Sequence, residues 1–306
     1  MADYDLLLDA ETRAFIAETG RWYPPESAGF SIERQRAVYD ALCTAFHHGR
    51  PDGLAVADRA VAGVPCRVYG DAGPAQVVYF HGGGWVVGGL DSHDDVCAEI
   101  ADHTGFGLTA VDYRLSPEHR HPAAFDDAMA VTRAVAAGGG PVVLAGDSAG
   151  GNIAAAVAQA LRGQGLPIAG MVLIYPGLGG DRDRGSMVTH AEAPMLTVAD
   201  MDFYAAARAA PGADLRDDPT AMPLADSDFS GLPPALIVTA ECDPLSDDGR
   251  DYRDRIVAAG GNALWIEEPG LVHGYLRARH SVARARDSFD RIVAGVDRLG
   301  RGAGLR

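Results

Sequence analysis

Lysine is missing altogether: each of the 26 basic residues among the 306 is an arginine. That excludes Schiff-base chemistry, a phosphate loop of the G-K-[S/T] type and the S-x-x-K serine of β-lactamase-like esterases, all of which need an ε-amine. Cysteine is scarce. Cys43, Cys66, Cys97 and Cys242 stand far apart with no C-x-x-C pair, so neither a zinc knot nor a disulfide framework is expected, and the thiols read as buried and free. No G-x-G-x-x-G occurs, which leaves a dinucleotide without its loop, and no cofactor is expected. No apolar run approaches a membrane span. The opening Met1-Ala2-Asp3-Tyr4-Asp5 is acidic where a secretory leader would be basic, so a cytoplasmic location is expected. Positive charge is also short: 26 basic residues face 42 acidic ones, a formal net charge of −16, which argues against nucleic acid and anionic membranes as partners.

What is present is enough hydrophobic residue, 47%, for one large α/β domain or two smaller ones. Strand-like runs are expected at 64–69, 76–80, 106–111, 142–145, 168–175, 235–239 and 263–266. Helical stretches are expected at 94–103, 123–137, 151–162, 247–259 and 280–299. Repeated βα units of this length imply an α/β fold with a mostly parallel central sheet and helices on both faces, where chemistry gathers at the carboxyl ends of the strands. Two segments lie outside that rhythm. Residues 1–50 carry two helical stretches ahead of the first strand, and residues 177–230 contain no strand but a helix around Asp200 to Ala209, opened by Thr197. Both are read as parts of a helical cap over a catalytic domain of residues 51–306. For the N-terminal helices, packing against the back of the sheet is the alternative.

The chain is organised around Gly146-Asp147-Ser148-Ala149-Gly150, set between the apolar run Val142-Val143-Leu144-Ala145 and the Ala-rich stretch 153–161. Strand, sharp turn and helix with serine at the corner describe a nucleophile elbow, and the flanking glycines let strand and helix approach closely. A Gly/Ser turn capping a helix is the plainer reading. A lone serine hydroxyl is a weak nucleophile, so Ser148 needs a base and that base an orienting acid. His273 follows the last strand on a loop and suits the base, since imidazole titrates near neutrality. Asp243, after the strand 235–239, suits the acid, with Glu241, Asp247 and Asp248 as fallbacks. Serine, acid, histidine is the chain order of α/β-hydrolases. After the strand 76–80 stands His81-Gly82-Gly83-Gly84-Trp85. Its bare backbone suits an oxyanion hole made by the amides of Gly83 and Gly84 together with Ala149.

Taken together, His81-Gly82-Gly83-Gly84-Trp85, Asp112-Tyr113-Arg114-Leu115-Ser116-Pro117-Glu118, Gly146 to Asn152, Asp243-Pro244-Leu245 and His273-Gly274-Tyr275 resemble the bacterial hormone-sensitive-lipase family (family IV) of α/β-hydrolases. The motifs run from about residue 76 to 275. The resemblance implies an α/β-hydrolase fold with a helical cap and a serine carboxylesterase of small, short-acyl esters, with no cofactor. Ser148, Asp243 and His273 fall on that family's triad, and Gly83, Gly84 and Ala149 on its oxyanion hole. Ser116 and Tyr275 depart from the commoner alanine and phenylalanine; Tyr275 is expected to bring a hydroxyl near the base and, with Trp85, to line the substrate pocket.

Asp147 is expected to point away from Ser148 and brace the glycine loop. Trp22, Tyr23, Trp85, Met195, Met201, Phe203 and Tyr204 are read either as lining an acyl pocket or as ordinary packing. His119 and His121 have a spacing that suits a metal, but no neighbouring ligand completes a site, and no metal is expected. The expected partner is a small-molecule ester. A homodimer is compatible with the sequence, although nothing in it sets the oligomeric state. Two other readings remain: an amide deacetylase acting on an acetylated metabolite, and a non-catalytic small-molecule receptor on the same fold.

Overall fold

The computed structural model describes residues 2–305. Among them eight strands form one sheet: β1 (Val56–Val61), β2 (Val64–Tyr69), β3 (Gln76–Phe80), β4 (Gly107–Val111), β5 (Val142–Asp147), β6 (Ile168–Ile174), β7 (Ala235–Cys242) and β8 (Ala263–Val272). Their spatial order is β1-β2-β4-β3-β5-β6-β7-β8. The pairs β1/β2 and β2/β4 are antiparallel, and every pair from β4 to β8 is parallel. Helices are α1 (Tyr4–Leu7), α2 (Ala10–Trp22), α3 (Ile32–Ala45), α4 (Asp94–Thr104), α5 (Ala123–Ala136), α6 (Ala149–Leu161), α7 (Ser186–Thr189), α8 (Val198–Arg208), α9 (Ser246–Ala258) and α10 (Ala283–Gly300).

Side chains alternate across the sheet, so a parallel strand needs apolar residues of both parities to bury both faces. In β3, Val77 and Tyr79 enter one core with α4 and α10, while Val78 and Phe80 enter the opposite core with α5, α6 and α9. β3 pairs with β4 on one side and β5 on the other. The chain therefore reverses its direction across the sheet between these strands, and the loops after β3 and β5 flank the crevice this opens.

β1 was not expected. Asp58, Arg59 and Ala60 are exposed and its partner is β2 alone, so this edge strand has no apolar face to announce it. β8 also runs past its expected end at Ile266, through Glu267-Glu268-Pro269-Gly270 to Val272. A proline is tolerated there because β8 is the other edge. In 177–230 there is no strand, and α8 carries the expected cap: the Thr197 side chain accepts from the Asp200 amide while Asp200 accepts from the Thr197 amide. The N-terminal helices divide their contacts. Leu8 and Phe15 join the core behind the sheet, whereas Thr19, Tyr23 and Tyr39 face a cavity described below.

Asp94, at the start of α4, ties three segments together. Its carboxylate accepts from Arg50 Nε at 2.8 Å, Arg67 Nη1 at 3.0 Å and the Tyr69 hydroxyl at 2.8 Å, with His47 Nε2 at 3.2 Å. Burial pushes this carboxyl upward, but the donors outweigh burial and hold it at about 2. A lowered carboxylate stabilises the fold above its unfolded value, and that contribution drains away as pH falls toward the folded one. Asp94→Asn should therefore lose about 3 kcal/mol at neutral pH. The gap to the parent should close as pH drops from about 4 toward 2, which denaturant unfolding at stepped pH will measure.

Candidate active site

β5 ends in Asp147, and the next residue, Ser148, takes φ 53° and ψ −116° before α6 begins. A non-glycine residue pays for a positive φ, so the bend persists only because its surroundings enforce it. The Ser148 amide donates to the Ile174 carbonyl at 2.8 Å. A methyl on Gly146 would stand 2.5 Å from the Gly150 backbone, and one on Gly150 would overlap the Phe80 carbonyl. Three backbones thus meet where side chains cannot fit.

Ser148 Oγ lies 2.9 Å from His273 Nε2, and His273 Nδ1 lies 2.7 Å from Asp243 Oδ2. Asp243 is fully buried, and its other oxygen accepts the Leu245 amide at 2.9 Å, which leaves Oδ2 aimed at the imidazole. The fallback acids go elsewhere. Glu241 accepts the Gly270 amide at 2.7 Å, Asp247 accepts the Ser186 amide and pairs with Arg250, and Asp248 accepts the Leu178 amide at 2.7 Å. Burial lifts Asp248 to about 7, so it is no permanent anion to pair with imidazolium.

The glycine run after β3 turns beside Ser148. Gly83 and Gly84 have φ of 120° and 59°, conformations that exclude most side chains. Among the described residues the amides of Gly83, Gly84 and Ala149 have no intramolecular acceptor, Ala149 because it opens a helix. All three, with Ser148, His273 and Trp85, border one cavity of about 1370 Å³. Its outer wall comes from residues 16–42 and 177–222.

Comparison with known proteins agrees with this geometry. Residues 77–277 match the α/β-hydrolase fold family. The chain is 42% identical over 233 residues to the carboxylesterase NlhH of Mycobacterium tuberculosis, covering 72% of this chain and 73% of that one. It is 34% identical over 231 residues to an ethyl acetate hydrolase of Pseudomonas putida, covering 72% of each. A solved esterase of Pyrobaculum calidifontis superposes with a TM-score of 0.85 at 30% identity, covering 95% of this chain and 99% of that one. The chain belongs to the hormone-sensitive-lipase-like family of α/β-hydrolases. By class it is a carboxylic ester hydrolase.

Within this α/β-hydrolase, Asp147 turns away from the serine and takes the Gly82 amide and the Tyr79 hydroxyl, each at 2.9 Å, with His93 Nε2 at 3.2 Å. Burial alone would raise this carboxyl, yet His93, the hydrogen bonds and the charge of Arg277 hold it far below the usual carboxylate range. His81, beneath the same loop, is pushed down to about 4 by burial and by His93, so it is neutral near pH 7. The sequence offered no sign of Tyr79 or His93, which reach Asp147 from separate elements.

Tyr275 does not meet its expectation. It is buried outside the cavity wall, its hydroxyl 2.7 Å from Ser288 Oγ and its ring edge-on to Tyr175, because the turn after Gly274 sends it toward α10. Trp22 also misses the cavity: it is 42% exposed and donates to Glu18. Tyr23, Met195, Met201, Phe203 and Tyr204 do border it. His121 sits 3.2 Å from Asp218 and 3.0 Å from the Thr220 hydroxyl.

Because Gly150 has no room for a methyl, Gly150→Ala should cost about 3 kcal/mol or more. Denaturant titration of the variant beside an Ala→Gly change on an exposed helix will give the comparison.

Proposed function

We propose that the protein hydrolyses small esters of short acyl chains through an acyl-enzyme on Ser148. The observation that carries this is the unbroken hydrogen-bonded line from Asp243 through His273 to Ser148. His273 Nε2 accepts the serine proton as Oγ attacks the ester carbonyl, while Asp243 holds the Nδ1 proton and stabilises the imidazolium. The tetrahedral oxyanion is received by the amides of Gly83, Gly84 and Ala149, each donor contributing about 3 kcal/mol. His273 then protonates the departing alcohol. A water, deprotonated by the same nitrogen, releases the acid and restores Ser148.

Residues 1–50 and 177–230 act as a cap that screens this chemistry from water, which strengthens every interaction with the oxyanion. Two observations support a short acyl group. Relatives named for this chemistry include the ethyl acetate hydrolase and an acetyl-hydrolase of Streptomyces hygroscopicus, 35% identical over 248 residues. The Tyr204 ring also packs so closely on Gly84 that no side chain fits there, limiting the room beside the oxyanion donors. Four free, buried cysteines suit a reducing cytoplasm. Among the described residues no helix is long and apolar enough to cross a membrane.

Hydrolysis of 4-nitrophenyl esters from acetate to laurate should peak at the short end, with matched acetamides far slower. Ser148→Ala should lower kcat roughly 10⁴-fold or more. A variant that keeps a tenth of the parental rate would overturn the mechanism.

A further inference from the structure

Four arginines border the cavity, and they fall into two pairs. Arg182 and Arg216 are neutralised at the surface by Asp202 and Asp214, each at 2.6 to 2.7 Å. Arg208 and Arg277 have no carboxylate within ion-pair reach among the described residues. Arg208 is nonetheless well used. It donates to the Ala221 carbonyl at 3.0 Å and to Asn152 Oδ1 at 3.3 Å, and it stacks 3.9 Å over the Trp85 ring.

Arg277 is different. It lies in the short helical turn that follows His273, and its guanidinium reaches the cavity beside Tyr39. One nitrogen donates to the Tyr39 hydroxyl, and the group rests 4.9 Å from that ring. Its Nε is buried with no hydrogen-bond partner. The Cys43 thiol beside it is pushed up by burial, which the charge of Arg277 and a hydrogen bond with it partly offset, but a thiol is no anion to pair with the guanidinium. The nearest anionic field is that of Asp147, which does not pair with it and is already engaged by His93, Tyr79 and Gly82.

A buried guanidinium without its anion is costly, because it gives up water for nothing of equal strength. Two residues on, Arg279 shows how this chain treats an arginine whose role is structural: it is buried against Asp95 and Glu99, each at 2.7 Å. Arg277, three residues beyond Gly274, is only half-buried and borders the cavity with no such carboxylate beside it among the described residues. Planar forks of this kind match carboxylates, which can accept two parallel hydrogen bonds.

We propose that Arg277 binds a carboxylate carried by the ester substrate, so that the enzyme prefers anionic esters over neutral ones of the same shape. This rests on the esterase reading above and narrows it to a substrate class. The carboxylate sits either on the acyl chain or on the alcohol, and Arg277 serves as the specificity-determining residue in both cases. It also overcomes the general repulsion that a chain of net charge −16 exerts on anions.

Two matched pairs test it with the intact protein: 4-nitrophenyl hemiglutarate against 4-nitrophenyl 5-methylhexanoate for the acyl side, and O-acetyl lactate against 3-methyl-2-butyl acetate for the alcohol side. In at least one pair the ratio of kcat/KM, anionic over neutral, should fall about tenfold or more in Arg277→Met, the size of one charge-assisted hydrogen bond. Arg277→Lys should recover part of that ratio, and the loss should appear mainly in KM. The pair that responds identifies which side bears the carboxylate. An arginine that only packs on Tyr39 would depress both members alike, so an unchanged ratio in both pairs, with neutral esters still hydrolysed, overturns the anion subsite alone. Failure of the parent to hydrolyse any of the four esters overturns the esterase reading and this inference with it.

Discussion

Everything near the cavity depends on one steric constraint: β3, β5 and the first turn of α6 approach so closely that Gly146 and Gly150 are the only residue type the junction accepts. That contact forces Ser148 into a left-handed backbone conformation and lifts its hydroxyl off the sheet. It also leaves the Ala149 amide free at a helix start and sets the glycine loop after β3 alongside. The rigidity of the parallel sheet is what holds the strain, since both faces are packed and neither neighbouring strand can yield.

Two aspartate–histidine pairs lie within this small region and behave differently. Asp243 and His273 stand at the cavity, with the serine hydroxyl on the far ring nitrogen. Asp147 and His93 stand beneath the glycine loop, where the carboxylate is also committed to a backbone amide and a tyrosine. The chemistry of the side chains is the same in both. Access to a nucleophile and to the cavity separates the proposed reacting pair from the bracing pair.

Much of this was legible beforehand. Seven of the eight strands were marked by apolar β-branched runs, and the proposed catalytic segments by glycine and turn chemistry at strand ends, because those features are local. The expectation for Asp147 also followed from strand alternation and agrees with the observed bracing. The failures have separate causes. β1 lacks a buried face, so periodicity had nothing to detect. Tyr275 was placed near the base by adjacency in sequence, but a left-handed Gly274 turns it into the core.

The sequence by itself determined the α/β architecture, the elbow and the order of serine, acid and histidine, because strand period, glycine placement and chain order are properties of short segments. Only the tertiary structure decided which of four neighbouring acids meets His273, that His93 and Tyr79 converge on Asp147, and that Arg277 is left without an anion while Arg279 has two. Those outcomes depend on groups as far apart in the chain as Arg279 and Asp95, and no local pattern records which distant side chains a fold will bring within hydrogen-bond reach.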